Sequence, residues 1–162
     1  MRAVHRGLAR NRDNGAAAVE FALVMVPLIM LVFGIISFGM FFAQKLALTN
    51  GARQAARMAV VHGNTCQDIF KEAKSAAVTL GVDPTSADFT FTAMAGPSTV
   101  CPTTNGEASD AVSGSTLPCQ TMPIETPVRV TLTWKSFLLI PLVVVDNDLT
   151  VTGEGVFRCE YS

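Results

Sequence analysis

Histidine, tryptophan and tyrosine are scarce in this 162-residue chain, at two, one and one copies, and charged residues make up only 15%. A Ser-His or Cys-His relay would have to rest on His62, near the end of a predicted helix, or on His5 in an arginine-rich head. No G-x-G-x-x-G, Walker-type loop or HExxH occurs. The four cysteines stand far apart instead of in the close pairs that zinc sites use. No basic stripe offers itself to nucleic acid. These gaps point away from an enzyme, a metal or cofactor protein and a nucleic-acid partner, and no catalytic residue stands out.

What the chain does have is apolar mass, 49% of its residues, and an uneven charge distribution. Residues 1–15 carry Arg2, Arg6, Arg10 and Arg12 against Asp13 alone, whereas the rest is acidic on balance. Between Phe21 and Gln44 lie 24 residues without a charge. As a helix rising ~1.5 Å per residue they reach about 36 Å, enough for the ~30 Å hydrocarbon layer of a bilayer. A cleaved secretory signal would have a shorter apolar region and a small-residue exit, whereas here Lys45 follows directly. A core helix apolar all round would need more surrounding protein than remains. Four arginines before the span and Lys45, Arg53 and Arg57 after it leave orientation open on charge. All four cysteines follow the span, and their even number and wide spacing suit two disulfides, so the C-terminal body is expected outside.

Glu20 sits at the head of the apolar run, in GAAAVEF from Gly15 to Phe21. An ionised carboxylate inside a membrane costs free energy unless it is partnered, and no cation lies one helical turn away. It either rests at the water interface near a helix N-terminus, favoured there by the dipole, or waits for a partner from elsewhere. Basic residues, then Gly15, then a glutamate five positions on that opens a long apolar helix, resemble the type IV prepilin signature. That resemblance implies a prepilin peptidase cutting between Gly15 and Ala16. The new ammonium, with an ordinary pKa near about 8, would let Glu20 meet the N-terminus of a neighbouring subunit. Residues 15–61 resemble more narrowly the TadE-like minor pilins or pseudopilins of the tight-adherence (Tad/Flp) system, in the Glu20-Phe21 pair, Pro27, the glycine-rich exit and the Ala/Arg-rich continuation. Residues 149–160, LTVTGEGVFRCE, resemble the last strand of such proteins. A TadF-like sibling shares the N-terminal pattern. The implied partners are the prepilin peptidase, other pilins and minor pilins, and the assembly platform in the membrane; the implied place is the cytoplasmic membrane with the N-terminus inside, then the pilus. His5 would leave with the leader. The competing reading is an uncleaved single-pass protein with an extracytoplasmic binding or regulatory domain.

Within the span, Pro27 removes a helical hydrogen bond and is expected to kink or loosen the helix. Gly34, Ser37, Gly39 and Ala43 form a small-residue strip suited to packing against other helices. The expected architecture is α+β, with a leader over 1–15, a transmembrane and extended helix over 16–62, and an outward domain over 63–162. Leu48, Ala52, Ala55 and Ala59 recur on one helical face, with Gly51 weakening the pattern slightly. A second helix is expected from Cys66 or Gln67 to Leu80, capped by Thr65 with Asp68 three residues on, its buried stripe Ile69, Phe70, Ala73, Ala77 and Leu80. Three alternating strands should follow, around Phe89–Thr92, Val128–Lys135 and Leu149–Thr152, with Gly153 and Gly155 bending or bulging the last before Phe157 rejoins the inner face. Residues 95–126, rich in Gly, Pro, Ser and Thr, read as one long loop. A Cys101–Cys119 bridge would pin that loop and leave Cys66 for Cys159, although four cysteines allow three pairings. The apolar stretch 137–145 either lines the core or forms an exposed patch for a partner or bilayer surface.

Overall fold

In the computed structural model the described residues are 10–78, 81–105, 118–119, 122–136 and 149–160. Two helices precede four strands: α1 (Arg10–Ala59), α2 (Cys66–Ala77), β1 (Phe89–Ala95), β2 (Ser98–Asn105), β3 (Pro127–Ser136) and β4 (Leu149–Arg158). The strands form one antiparallel sheet in the order β2-β1-β3-β4, so the class is α+β. By contacts the chain divides into two units, the first ending on α1 at Ser37 and the second beginning at Phe38.

The second unit holds the core. In β1 and β3 every other residue is buried, from Phe89 to Ala95 and from Val128 to Ser136. Pairing Phe91 with Leu132 and Ala93 with Val130 stacks those side chains on one face. α2 covers the β1 side, where the Phe70 ring meets Phe91 edge-on at 5.3 Å between centroids. Its start is held as the sequence implies: Thr65 Oγ1 accepts from the Asp68 amide, and the Asp68 carboxylate accepts from the Thr65 amide and hydroxyl. The helix stops at Ala77, with Val78 extended, short of the expected end; Leu80 lies outside the described residues.

α1 covers the β3–β4 side, and glycine makes the approach possible. A Cβ on Gly153 would stand 2.3 Å from the Leu48 carbonyl carbon, and one on Gly155 would stand 2.4 Å from the Ala52 carbonyl oxygen. Backbone here lies against backbone, which only a residue without a side chain permits. The expected bulge at these glycines is absent: β4 pairs with β3 residue for residue from Leu149 to Arg158. Their flattening serves the helix above, and Phe157, expected inside, is exposed. Gly51 likewise fits tight packing, since a Cβ there would come within 3.2 Å of the Ala73 carbonyl oxygen on α2.

Residues 95–126 are not a single loop. Gly96, at φ 57°, and Pro97 turn the chain after β1, and Ser98–Asn105 returns as the edge strand β2 with irregular register. Pro102 and polar residues hid this strand, yet an edge position tolerates both. β2 carries Cys101 away from Cys119, so the pairing expected across the loop does not form. The bridges are Cys66–Cys101, joining α2 to β2, and Cys119–Cys159, joining the 118–119 segment to the end of β4. The stretch 137–145 lies outside the described residues.

Candidate functional site

The residues singled out for function lie on the first unit's part of α1 and just beyond it. Gly15 and Ala16 are helical and exposed, not extended as a protease substrate would be. Glu20 and Phe21 are exposed in the next turn, and among the described residues Glu20 makes no ion pair. From Val19 to Ile36 nearly every large apolar side chain faces outward, Leu23 at 72% and Ile35 at 65%. α1 passes through Pro27 without an assigned break. Around Gly34 and Gly39 a Cβ would meet nothing within 4 Å, so both positions are open for another surface to approach.

One helix among the described residues is long and apolar enough to cross a membrane, Gly15–Ala59, with a mean hydropathy of 2.7. Only 6% of that apolar window is buried, which separates it from the core helix of a soluble domain. A sheath of this kind in water would carry a large free-energy cost, roughly 25 cal/mol for each Å² of apolar surface. It is therefore a candidate membrane span.

Where the charge-free run ends, polar groups fasten α1 to the domain. Gln44 is 2% exposed; its Oε1 accepts from Ser136 Oγ at 2.6 Å and its Nε2 donates to the Gly81 carbonyl at 3.4 Å. Lys45 Nζ donates to the Thr152 carbonyl on β4. In the sequence Gln44 is the last residue of the charge-free run and Lys45 its charged stop. A polar residue at the end of an apolar run was the available signal, but its partners lie 92 and 37 positions away.

Among the described residues no cluster of His, Cys, Asp and Glu side chains forms elsewhere. A groove of about 420 Å³ along α2 is lined by Gln67, Lys71, Lys74, Ser75, Val78, Pro84 and Thr85. A second, of about 540 Å³, lies among Gln54, Arg57, Met58, Val61, Asn64 and Glu72. Neither contains a cysteine or histidine. Asp68 and Asp83, in the first turn of α2 and the α2–β1 connection, are held below the usual carboxylate range. For each, the hydroxyl of a neighbouring threonine, Thr65 and Thr85, is the main cause and its amide the second.

Helix and sheet together define a class: a protein with one candidate membrane-spanning N-terminal helix whose second half belongs to a disulfide-bonded α+β domain. The helix also places it among known sequences. Residues 15–57, about a quarter of the chain, match the family model described as TadE-like protein. No curated protein and no solved structure matches the chain. The matched stretch starts at Gly15, contains Glu20 and Pro27, and ends among the residues of α1 packed on the sheet. It agrees with the resemblance read from residues 15–61 and suggests a protein associated with tight-adherence pili.

Proposed function

We propose that the chain is a minor pilin or pseudopilin subunit of a tight-adherence pilus. It enters the cytoplasmic membrane with residues 1–15 inside as a leader and residues 63–162 outside, is cut between Gly15 and Ala16 by a prepilin peptidase, and joins other subunits through its N-terminal helix. The observation that carries this reading is Glu20: a carboxylate without an ion pair among the described residues, at the head of an exposed apolar helix, five positions after Gly15. In hydrocarbon such a group needs a partner. Cleavage would create a cation on each subunit able to serve as one. Phe21 and the open surfaces at Gly34 and Gly39 supply apolar contact and close approach for neighbouring helices. Two disulfides support an outward domain, because such bonds persist in oxidising compartments.

The uncleaved single-pass reading draws on one observation, the helical conformation of Gly15 and Ala16. Cleavage requires these turns to unwind, a step glycine eases by about 0.5–1 kcal/mol relative to alanine. Intact-mass measurement of protein extracted from membranes separates the two readings: a chain beginning at Ala16 is expected, and one retaining Met1 overturns cleavage. Glu20→Leu should insert, fold and be processed yet fail to enter pili; normal piliation in that variant would sink the docking role.

A further inference from the structure

The sheet has two edges of different character. β2 contains Pro102, shifts register twice against β1 and is tied to α2 by Cys66–Cys101, all features that discourage a further strand. β4 has ten residues in unbroken register, no proline, and no strand on its outer side among the described residues.

Hydrogen bonding shows which of its groups point outward. The Cys159 amide donates to the Thr126 carbonyl and the Glu125 amide to the Cys159 carbonyl, so Cys159 turns toward β3. Backbone direction alternates along a strand. Gly155 and Phe157 therefore also turn toward β3, while the amides and carbonyls of Glu154, Val156 and Arg158 point outward. Thr152 belongs to the outward set, and its carbonyl is already taken by Lys45.

The flank of α1 beside this edge is basic. Leu48 lies over Gly153, and Ala52 and Arg53 lie over Gly155, so the helix and β4 advance together, about 6 Å for four helical residues against about 6.6 Å for two strand residues. Gly51 faces α2 and Ala52 the sheet, which turns Arg53 to the side away from α2, in line with Lys45 and Thr49 behind it. Arg53 and Arg158 are exposed and make no ion pair among the described residues, whereas Glu154 is occupied by Arg129 at 2.8 Å.

We propose that the outer edge of β4, flanked by Arg53 and Arg158, is a strand-addition site for an extended acidic segment of a partner protein. Backbone hydrogen bonds to Glu154, Val156 and Arg158 hold the incoming strand, and the arginines select carboxylates on it. The inference goes beyond the pilin reading and depends on neither Glu20 nor cleavage.

The test uses the full chain in detergent and a fluorescent peptide of about nine alternating threonines and glutamates, with a lysine-for-glutamate counterpart and an acidic version interrupted by a central proline. The acidic peptide should bind at least about tenfold tighter than either control at low salt. The double variant Arg53→Glu with Arg158→Glu should lower its affinity about tenfold or more. Val156→Pro, which removes one outward amide from the edge, should do the same, with both disulfides verified on a non-reducing gel. Equal binding of the three peptides, or unchanged affinity in the double variant, overturns the proposal. So does slow amide exchange at Glu154 and Val156 in the free chain, since the chain itself would then occupy the edge.

Discussion

α1 is one helix with two compositions. From Val19 to Ile36 its surface is built mostly from Val, Leu, Ile, Phe and Met, and most of these large side chains are exposed. From Leu48 to Ala59 the residues that matter are Gly51, Ala52, Ala55, Ala56 and Ala59, all buried. Greater hydrophobicity thus goes with less burial within this helix. The difference lies in the partner each half is suited to: long side chains present apolar surface to a fluid hydrocarbon medium, whereas a neighbouring backbone at van der Waals distance leaves room for little more than a methyl group.

The strongest way to break that comparison is to put a side chain between helix and sheet. Gly155→Val would force atoms into the space held by the Ala52 carbonyl and the Arg53 Cα. It should destabilise the domain by about 3 kcal/mol or more, read as loss of the Cys119–Cys159 bridge or a lower thermal midpoint. Wild-type stability would mean that α1 does not rest on β4. A milder version contrasts the two halves directly. Ala52→Leu should cost the domain about 1–3 kcal/mol through overpacking. Leu28→Ala, on the exposed half, should leave domain stability within about 0.5 kcal/mol, as followed by denaturant titration in detergent. Equal effects from the two would erase the distinction.

The smallest expected effect concerns α2, which joins the comparison as a soluble helix with a conventional cap. Thr65→Ala should cost about 1 kcal/mol. Because the Asp68 carboxyl is held below its ordinary range, chiefly by the Thr65 hydroxyl, its contribution is fully present above the unfolded pKa near about 4 and is lost as pH falls through the lowered folded value. Stability measured downward from pH 5 should therefore decline less steeply in Asp68→Asn than in the wild type.

Several elements were legible because one side chain after another repeated a local rule. Phe89 and Phe91 alternate with threonines, Val128 through Trp134 do the same, and Ile69, Phe70, Ala73 and Ala77 return at helical spacing; all are buried as read. Thr65 and Asp68 form a cap through a three-residue separation, which sequence displays directly. β2 escaped notice because its residues are polar and include Pro102, a pattern that only an edge position makes compatible with a strand. The disulfides differ from the expected pairing for the same reason, since placing Cys101 in a strand puts it beside Cys66. At Gly153 and Gly155 the bulge expected from sequence gives way to a close neighbour. Glycine in a strand signals either irregular pairing or a close neighbour, and the neighbour here is a helix about a hundred positions earlier in the chain.

Sequence by itself determined the uncharged length of α1, the position of Glu20 relative to Gly15, the cap of α2 and the inward faces of β1 and β3. Each depends on residues within a few positions of one another, whose chemistry and spacing act locally. Only the tertiary structure decided which cysteines meet, which strands end the sheet, and that Gln44 and Lys45 fasten the helix to β3, β4 and the Gly81 turn. Those outcomes depend on which distant backbones approach closely enough to exclude a side chain or share a hydrogen bond, and that proximity is a property of the whole packed domain.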